Sequence, residues 1–414
     1  MWSSLGEAGR VYRHYVQGCA EVRDAKGDTM LRAVVGHSED PDESEAVREI
    51  VAQCREQLGE HKPSAGILFA AIEMEHQVVL NGLLEAFPGI SLVGCTTDGE
   101  LSSKLSFTED SLTLLLFSCG DGVEITSGLG RRLSDGIPAA VNEAVSEAKS
   151  KTALPAKWCF ITPESMTVSS SVLLQALQSN LGESFPIAGG LAADQWSFEK
   201  TYQFYNGEVL TDALPMLLFS GDVHVSHGVA SGWEPHGKMG VVERAEGNVV
   251  WTIDGVSALS FYSHYLGPHV KPSTEYPLAV SVSKHADEYY LRAPLKCDEE
   301  TGSVTFTGDI PEGATVRLTT PEREKIMEAC ETSVLQAFES FPQGKVPACA
   351  LIVSCAARKY LLGTQVREEY EILRQHIGDL PVLGFYSYGE IGPSSLGSPA
   401  CLHNETFVTV LLGG

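Results

Sequence analysis

The residues best suited to chemistry gather near the carboxyl terminus. Pro381-Val382-Leu383 reads as a short apolar strand ending in Gly384, and Phe385-Tyr386-Ser387-Tyr388-Gly389 then leads to Glu390. A carboxylate at a strand's carboxyl end could receive a ligand ammonium. The backbone N–H groups from Gly384 through Tyr386 to Gly389 could receive a carboxylate, because an anion site needs only converging backbone donors. Together they suit an amino acid. The plainer alternative is that Glu390 caps its own turn or pairs with a surface lysine. Upstream, Arg358 follows Cys355 just past the apolar run 348–354. Its planar guanidinium could grip a carboxylate through two hydrogen bonds, or pair with Glu368 or Glu369 on the next helix. Cys355 would act as a nucleophile only as a thiolate with a base in reach. The sequence supplies no such base, so a buried structural cysteine is the simpler reading. His224, His227 and His236 form the densest histidine group; on a strand, His224 and His227 point to opposite faces, which is poor for joint metal ligation.

Several chemistries are absent. The chain has no Gly-x-x-x-x-Gly-Lys-Ser/Thr loop, no His-Glu-x-x-His helix and no Gly-x-Ser-x-Gly elbow. No metal site and no catalytic residue is assigned. The net charge of −25 is spread along 414 residues, which argues against nucleic-acid and anionic-membrane partners, since both need a basic face. No apolar run approaches the roughly 20 residues needed to span a bilayer, and the first residues lack the apolar stretch of a signal peptide. The ten cysteines are scattered, with no Cys-x-x-Cys pair. Cys95, Cys119, Cys159 and Cys349 sit in apolar strand-like contexts. These features predict a reduced, cytoplasmic protein.

A repeated plan must position these residues. Leu92-Val93-Gly94 leads to Glu100, Pro186-Ile187-Ala188-Gly189 leads to Asp194, and Pro381-Val382-Leu383-Gly384 leads to Glu390. Each turn follows a strand and a helical stretch and precedes a hairpin, which predicts an internal repeat. In the first copy, 66–70 is a strand buried on both faces, and 78–87 a helix with one apolar stripe. Ahead of it, Asp40-Pro41-Asp42 starts a helix carrying Val47, Ile50, Val51, Cys54 and Leu58. In the second copy, helices are expected over 137–149 and 172–181, and Asn206-Gly207 marks a hairpin. From 249 to 306 the composition changes to antiparallel strands after a helix over 256–265. A long amphipathic helix opens near Thr320-Pro321, and the third copy closes the chain with helix 364–376 and strand 406–412. The class is α/β, with mixed sheets built from repeated strand-helix-strand-hairpin units. Each unit is too small to bury its own apolar strands, so neighbouring copies must pack or pair edges.

The chain resembles the FIST family. Gly189-Gly190-Leu191-Ala192-Ala193-Asp194, Tyr202-Gln203-Phe204-Tyr205-Asn206-Gly207-Glu208-Val209 and Gly228-Val229-Ala230-Ser231-Gly232-Trp233 carry the amino-terminal match. Ser354-Cys355-Ala356-Ala357-Arg358, Gly384-Phe385-Tyr386-Ser387-Tyr388-Gly389-Glu390-Ile391-Gly392-Pro393 and His403-Asn404-Glu405-Thr406 carry the carboxyl-terminal one. The resemblance implies an amino-terminal extension over 1–36, a FIST N-terminal domain over 37–250 and a FIST C-terminal domain over 251–414. It implies an intracellular sensory protein that binds a small ligand, amino acids among the candidates, and passes its signal to a separate protein, with no output domain fused. It singles out Arg358, Glu390, Cys355, His403 and Asn404 through their motifs. A haem-binding nitric-oxide sensor, with a histidine as axial ligand, and an enzyme using Cys355 are the alternatives; no cofactor is otherwise expected.

Overall fold

The structure, a computed structural model, describes residues 30–281, 289–395 and 397–414. The expected extension over 1–36 lies outside the described residues as far as residue 29. The first unit runs β1 (Leu31–Ser38), α1 (Glu43–Leu58), β2 (Ala65–Ala70), α2 (His76–Ala86), β3 (Ser91–Thr96), β4 (Glu100–Ser102), β5 (Ser106–Thr108) and β6 (Leu112–Cys119). Helix α1 starts where expected, because the Asp42 side chain accepts from the Glu45 N–H and Glu43 and Glu45 lie at the positive end of the dipole. Its predicted stripe of Val47, Ile50, Val51, Cys54 and Leu58 is buried.

The second unit repeats the order: β7 (Val123–Arg131), α3 (Ile137–Ser150), β8 (Ala156–Ile161), α4 (Ser170–Leu181), β9 (Ile187–Gly190), β10 (Gln203–Tyr205), β11 (Glu208–Leu210) and β12 (Ala213–Gly221). Asn206 is left-handed between β10 and β11, as its Asn-Gly signature demands. The third unit begins with β13 (His224–Ser231) and is then interrupted. The insertion comprises β14 (Trp233–Glu246), β15 (Val249–Ile253), β16 (Val256–Ser257), α5 (Ala258–Leu266), β17 (Leu278–Ser281), β18 (Tyr290–Arg292), β19 (Pro294–Cys297), β20 (Val304–Phe306) and β21 (Thr315–Pro321), which form one eight-stranded sheet. The unit resumes with α6 (Arg323–Ser340), β22 (Cys349–Cys355), α7 (Ala356–Leu362), α8 (Val366–Ile377), β23 (Val382–Ser387), β24 (Glu390–Pro393), β25 (Ala400–His403) and β26 (Thr406–Gly413). The change of composition expected at 249 thus comes late, since the insertion starts at Trp233. The expected boundary between 250 and 251 falls inside β15.

Each unit pairs its two central strands in parallel and its returning strand antiparallel. The hairpins do not stay at home. Sheet one takes β10–β11 from the second unit, sheet two takes β24–β25 from the third, and sheet three takes β4–β5 from the first. This cyclic exchange satisfies edges that each unit would otherwise expose. It also interlaces the two halves that the sequence kept apart. The inner faces of the three sheets share one core that includes Phe69, Phe117, Trp158, Phe160, Phe219 and Phe385, and the helices pack outside.

The strand registers explain the repeated glycine. Gly94, Gly189 and Gly384 pair with Leu68, Ile161 and Ile352. A Cβ at Gly94 would lie 1.8 Å from the Leu68 carbonyl oxygen, and one at Gly189 would lie 1.9 Å from that of Ile161. At Gly384 the nearest Ile352 atom would be 2.7 Å away. The glycine is required for close strand approach in all three units. Leu68, Ile161 and Ile352 pair on their other side with Leu114, Met216 and Thr409. Four residues before each stands an acidic residue in left-handed backbone: Asp110 (φ 53°), Asp212 (φ 53°) and Glu405 (φ 60°).

Candidate functional site

Those three equivalent acids have different fates. Asp110 accepts from Gln195 Nε2, and Asp212 accepts from the Ser134 N–H and hydroxyl, all near the surface. Glu405 is fully buried, and neither carboxyl oxygen meets an N–H or O–H donor among the described residues; the Cys355 thiol is the hydrogen-bonding group beside it. A left-handed Glu is costlier than Asp or Asn at such a turn. The longer side chain here reaches a cavity of about 120 Å³.

Three parts of the molecule build that cavity. The third unit supplies its floor: Cys355, Ala356 and Ala357 where β22 enters α7, Ser387 and Tyr388 after β23, and Asn404 and Glu405 between β25 and β26. The insertion supplies Ala293, Leu295 and Thr307, and the second unit supplies Met166, Leu191, Trp196 and Phe198. Asn404 Oδ1 accepts from the Thr307 hydroxyl at 2.7 Å, tying the insertion to the floor. The segment carrying Trp196 and Phe198 is unusual backbone: Gln195, Trp196 and Phe198 all have positive φ. Asp194 holds it there, its carboxylate accepting from the N–H groups of Phe198, Glu199 and Lys200. The Tyr388 hydroxyl donates to the same carboxylate at 2.6 Å and accepts from the Trp196 N–H at 2.7 Å. The Phe198 ring stacks on Tyr388 at 4.8 Å.

The electrostatics of the floor follow from burial. Burial pushes Glu405 well above the ordinary carboxylate range, and Glu390 beside it pushes the same way against the pull of Arg358. Glu390 is raised to about 7 by burial, in spite of hydrogen bonds from the Ser387 hydroxyl at 2.9 Å and from the Thr406 N–H and hydroxyl. Cys355, 5% exposed, is raised by burial and then by both glutamates, so it remains a thiol. That is the wrong state for the nucleophile considered above.

The predicted site residues separate. Cys355 and Asn404 line the cavity. Glu390 lies behind it and touches it through Ser387, so it caps its own turn, as the plainer alternative held. Arg358 is turned away: Nη2 donates to Glu369 Oε1 at 2.5 Å and to the Ile326 carbonyl at 2.8 Å, and the guanidinium lies over the Phe407 ring. The pairing with Glu369 is the one realised. Tyr386 donates to the other Glu369 oxygen, which places it in the same buried group. Gly384 packs on Ile352, and a Cβ at Gly389 would meet Leu402 at 2.8 Å. His403 Nε2 lies 3.0 Å from the Gly392 carbonyl and 3.4 Å from Cys401 Sγ. The ammonium-and-carboxylate clamp drawn between Glu390 and Arg358 is therefore not what the cavity presents. Among the described residues no histidine lines it, and His224, at the start of β13, lies 3.5 Å from Asp222. Among the described residues no cluster suited to a metal ion occurs.

Sequence reasoning passed over Glu405, Trp196 and Phe198. Glu405 stands inside the motif His403-Asn404-Glu405-Thr406, and its equivalence to Asp110 and Asp212 is a usable signal. Trp196 and Phe198 gave none, because their strained backbone is imposed by Asp194 and Tyr388.

Comparison with known proteins places this architecture. A model of the FIST N domain matches residues 64–256, and one of the FIST C domain matches 258–393, together well over half of the chain. The chain belongs to the FIST family. FIST domains are associated with sensory ligand binding. An uncharacterized protein of Methanocaldococcus jannaschii is 25% identical over 354 residues, covering 75% of this FIST chain, which spans 66% of that relative's length. An uncharacterized Mycobacterium tuberculosis protein is 22% identical over 381 residues, covering 88% of the chain and 95% of the relative. Among solved structures, a cyanuric acid hydrolase from A. caulinodans covers 92% of the chain and 99% of its own at TM-score 0.36 and 9% identity. A chorismatase covers 93% and 99% at TM-score 0.38 and 8% identity. At those values the likeness implies nothing about activity. No helix among the described residues is long and apolar enough to cross a membrane.

Proposed function

We propose that this FIST chain is a cytoplasmic sensory protein whose small organic ligand occupies the cavity between the third unit, the insertion and the 194–200 segment. One observation carries the reading: the Glu405 carboxyl is buried at an otherwise largely apolar cavity, with neither oxygen meeting an N–H or O–H donor among the described residues. Leaving such a group unmet costs about 1–3 kcal/mol, and a ligand that hydrogen-bonds it removes that cost. Apolar walls with a few placed polar groups are the usual make-up of a small-molecule site. A ligand here would touch two units and the insertion at once, so its binding would change how they pack, which a separate signalling partner could read.

Thermal-shift and tryptophan-fluorescence titrations with a panel of amino acids, amines and small neutral aromatics test this. A true ligand raises the melting temperature by mass action and perturbs Trp196. Met166→Trp, which narrows the cavity, should abolish both signals. The same shift in that variant would move the site elsewhere, and no response to any compound at millimolar concentration would end the ligand-binding reading.

A further inference from the structure

The ligand class can be narrowed, resting on the cavity assignment above. Three features of the lining decide it. Glu405 lies buried in the floor, its carboxyl oxygens meeting no N–H or O–H donor among the described residues and only the Cys355 thiol beside them. The Trp196, Phe198 and Tyr388 rings stand on one side, and aromatic faces attract cations. Among the described residues no Lys, Arg or His lines the cavity, so none of them would neutralise a ligand carboxylate there. The chain's charge of −25 adds a field that draws cations and repels anions. We infer that the cavity takes a compact organic amine without a carboxylate, its ammonium on Glu405 and its apolar body against the aromatic wall. At about 120 Å³ the cavity is somewhat smaller than the roughly 150 Å³ that takes benzene, which limits the enclosed apolar body to one small ring at most.

Binding of this kind moves a proton. Burial pushes Glu405 toward its protonated form in the empty cavity, and Glu390 on β24 pushes the same way to the extent that it is ionised, while Arg358 on α7 and the hydrogen bond from the Cys355 thiol act in the opposite direction. The entering ammonium keeps its own protons and pairs with the carboxylate, so the Glu405 proton leaves to solvent. Amine uptake near neutral pH therefore releases up to one proton. A neutral alcohol or amide releases none.

The test titrates the full chain with phenethylamine, phenylalanine and benzyl alcohol by calorimetry at pH 7, in phosphate and in Tris. The two buffers differ in ionisation enthalpy, which yields the proton count. Phenethylamine should bind at least ten-fold more tightly than phenylalanine and release between a half and one proton. Glu405→Gln should lose at least ten-fold in phenethylamine affinity while keeping benzyl alcohol. Equal affinity for phenylalanine, or tight amine binding with no proton released, would overturn the amine assignment; the second readout needs only the native chain, should the variant misfold. If neutral aromatics or amino acids bind at Trp196 and amines do not, the amine assignment fails and the cavity stands. If nothing binds, both fail.

Discussion

Glu390 and Glu100 occupy equivalent places and meet the same solution, each accepting from a hydroxyl three residues earlier, Ser387 or Thr97, and from one at the head of the returning strand. Burial raises both to about 7. The folded chain then holds each proton up to about pH 7, whereas the unfolded chain releases it near 4.5. Between those values the native state binds more protons, so this contribution is fully present below about pH 4.5 and is lost as pH rises through about 7. His37, buried among Ser102, Thr108 and Ser111, is lowered to about 3 by burial and acts with the opposite sign. Comparing the native chain with Glu390→Gln cancels the histidine. We expect the stability of the native chain relative to the variant to fall by about 3 kcal/mol between pH 4.5 and 7. Urea melts at a series of pH values give this difference directly, and a flat difference would show that Glu390 titrates normally. The carboxyl group was legible in the sequence; its raised titration was not, because only the fold removes its water.

At the scale of the element, the parallel strand pairs and the outer helices were largely legible, since continuous apolar runs and helical stripes are local signals. Three equivalent glycines were visible too, but their reason lies in the carbonyls of Leu68 and Ile161, which belong to neighbouring strands. Gly94→Ala should therefore destabilise the protein by about 3 kcal/mol or more, because backbone rather than a flexible side chain must move. Chemical denaturation checks it; a loss under about 1 kcal/mol would mean that the strands can separate freely. Helix α7 escaped notice, since its seven residues follow a buried strand without a capping signal. It is the element that turns Arg358 toward Glu369 and Ile326 and away from the cavity.

For the whole molecule, hairpin exchange makes each sheet the property of two units. No unit can unfold without stripping strands from its neighbours, so the three units should melt in one calorimetric transition with matching van't Hoff and calorimetric enthalpies. Separate transitions for them would contradict the interlacing. The insertion has its own core around Tyr262, Val280, Val304 and Phe306 and is joined to the rest through Trp233, Leu291, Ile326 and Tyr386, so any distinct step belongs to it.

The amino-acid sequence by itself determined the mixed α/β class, because composition and periodicity are properties of short stretches, and its motifs carried the resemblance to the FIST family. Only the tertiary structure decided which of those motif residues line the cavity. Cavity walls come from residues far apart in the chain, and burial, which raises the titration of Glu390 and Glu405, arises only when three units and an insertion close on one another.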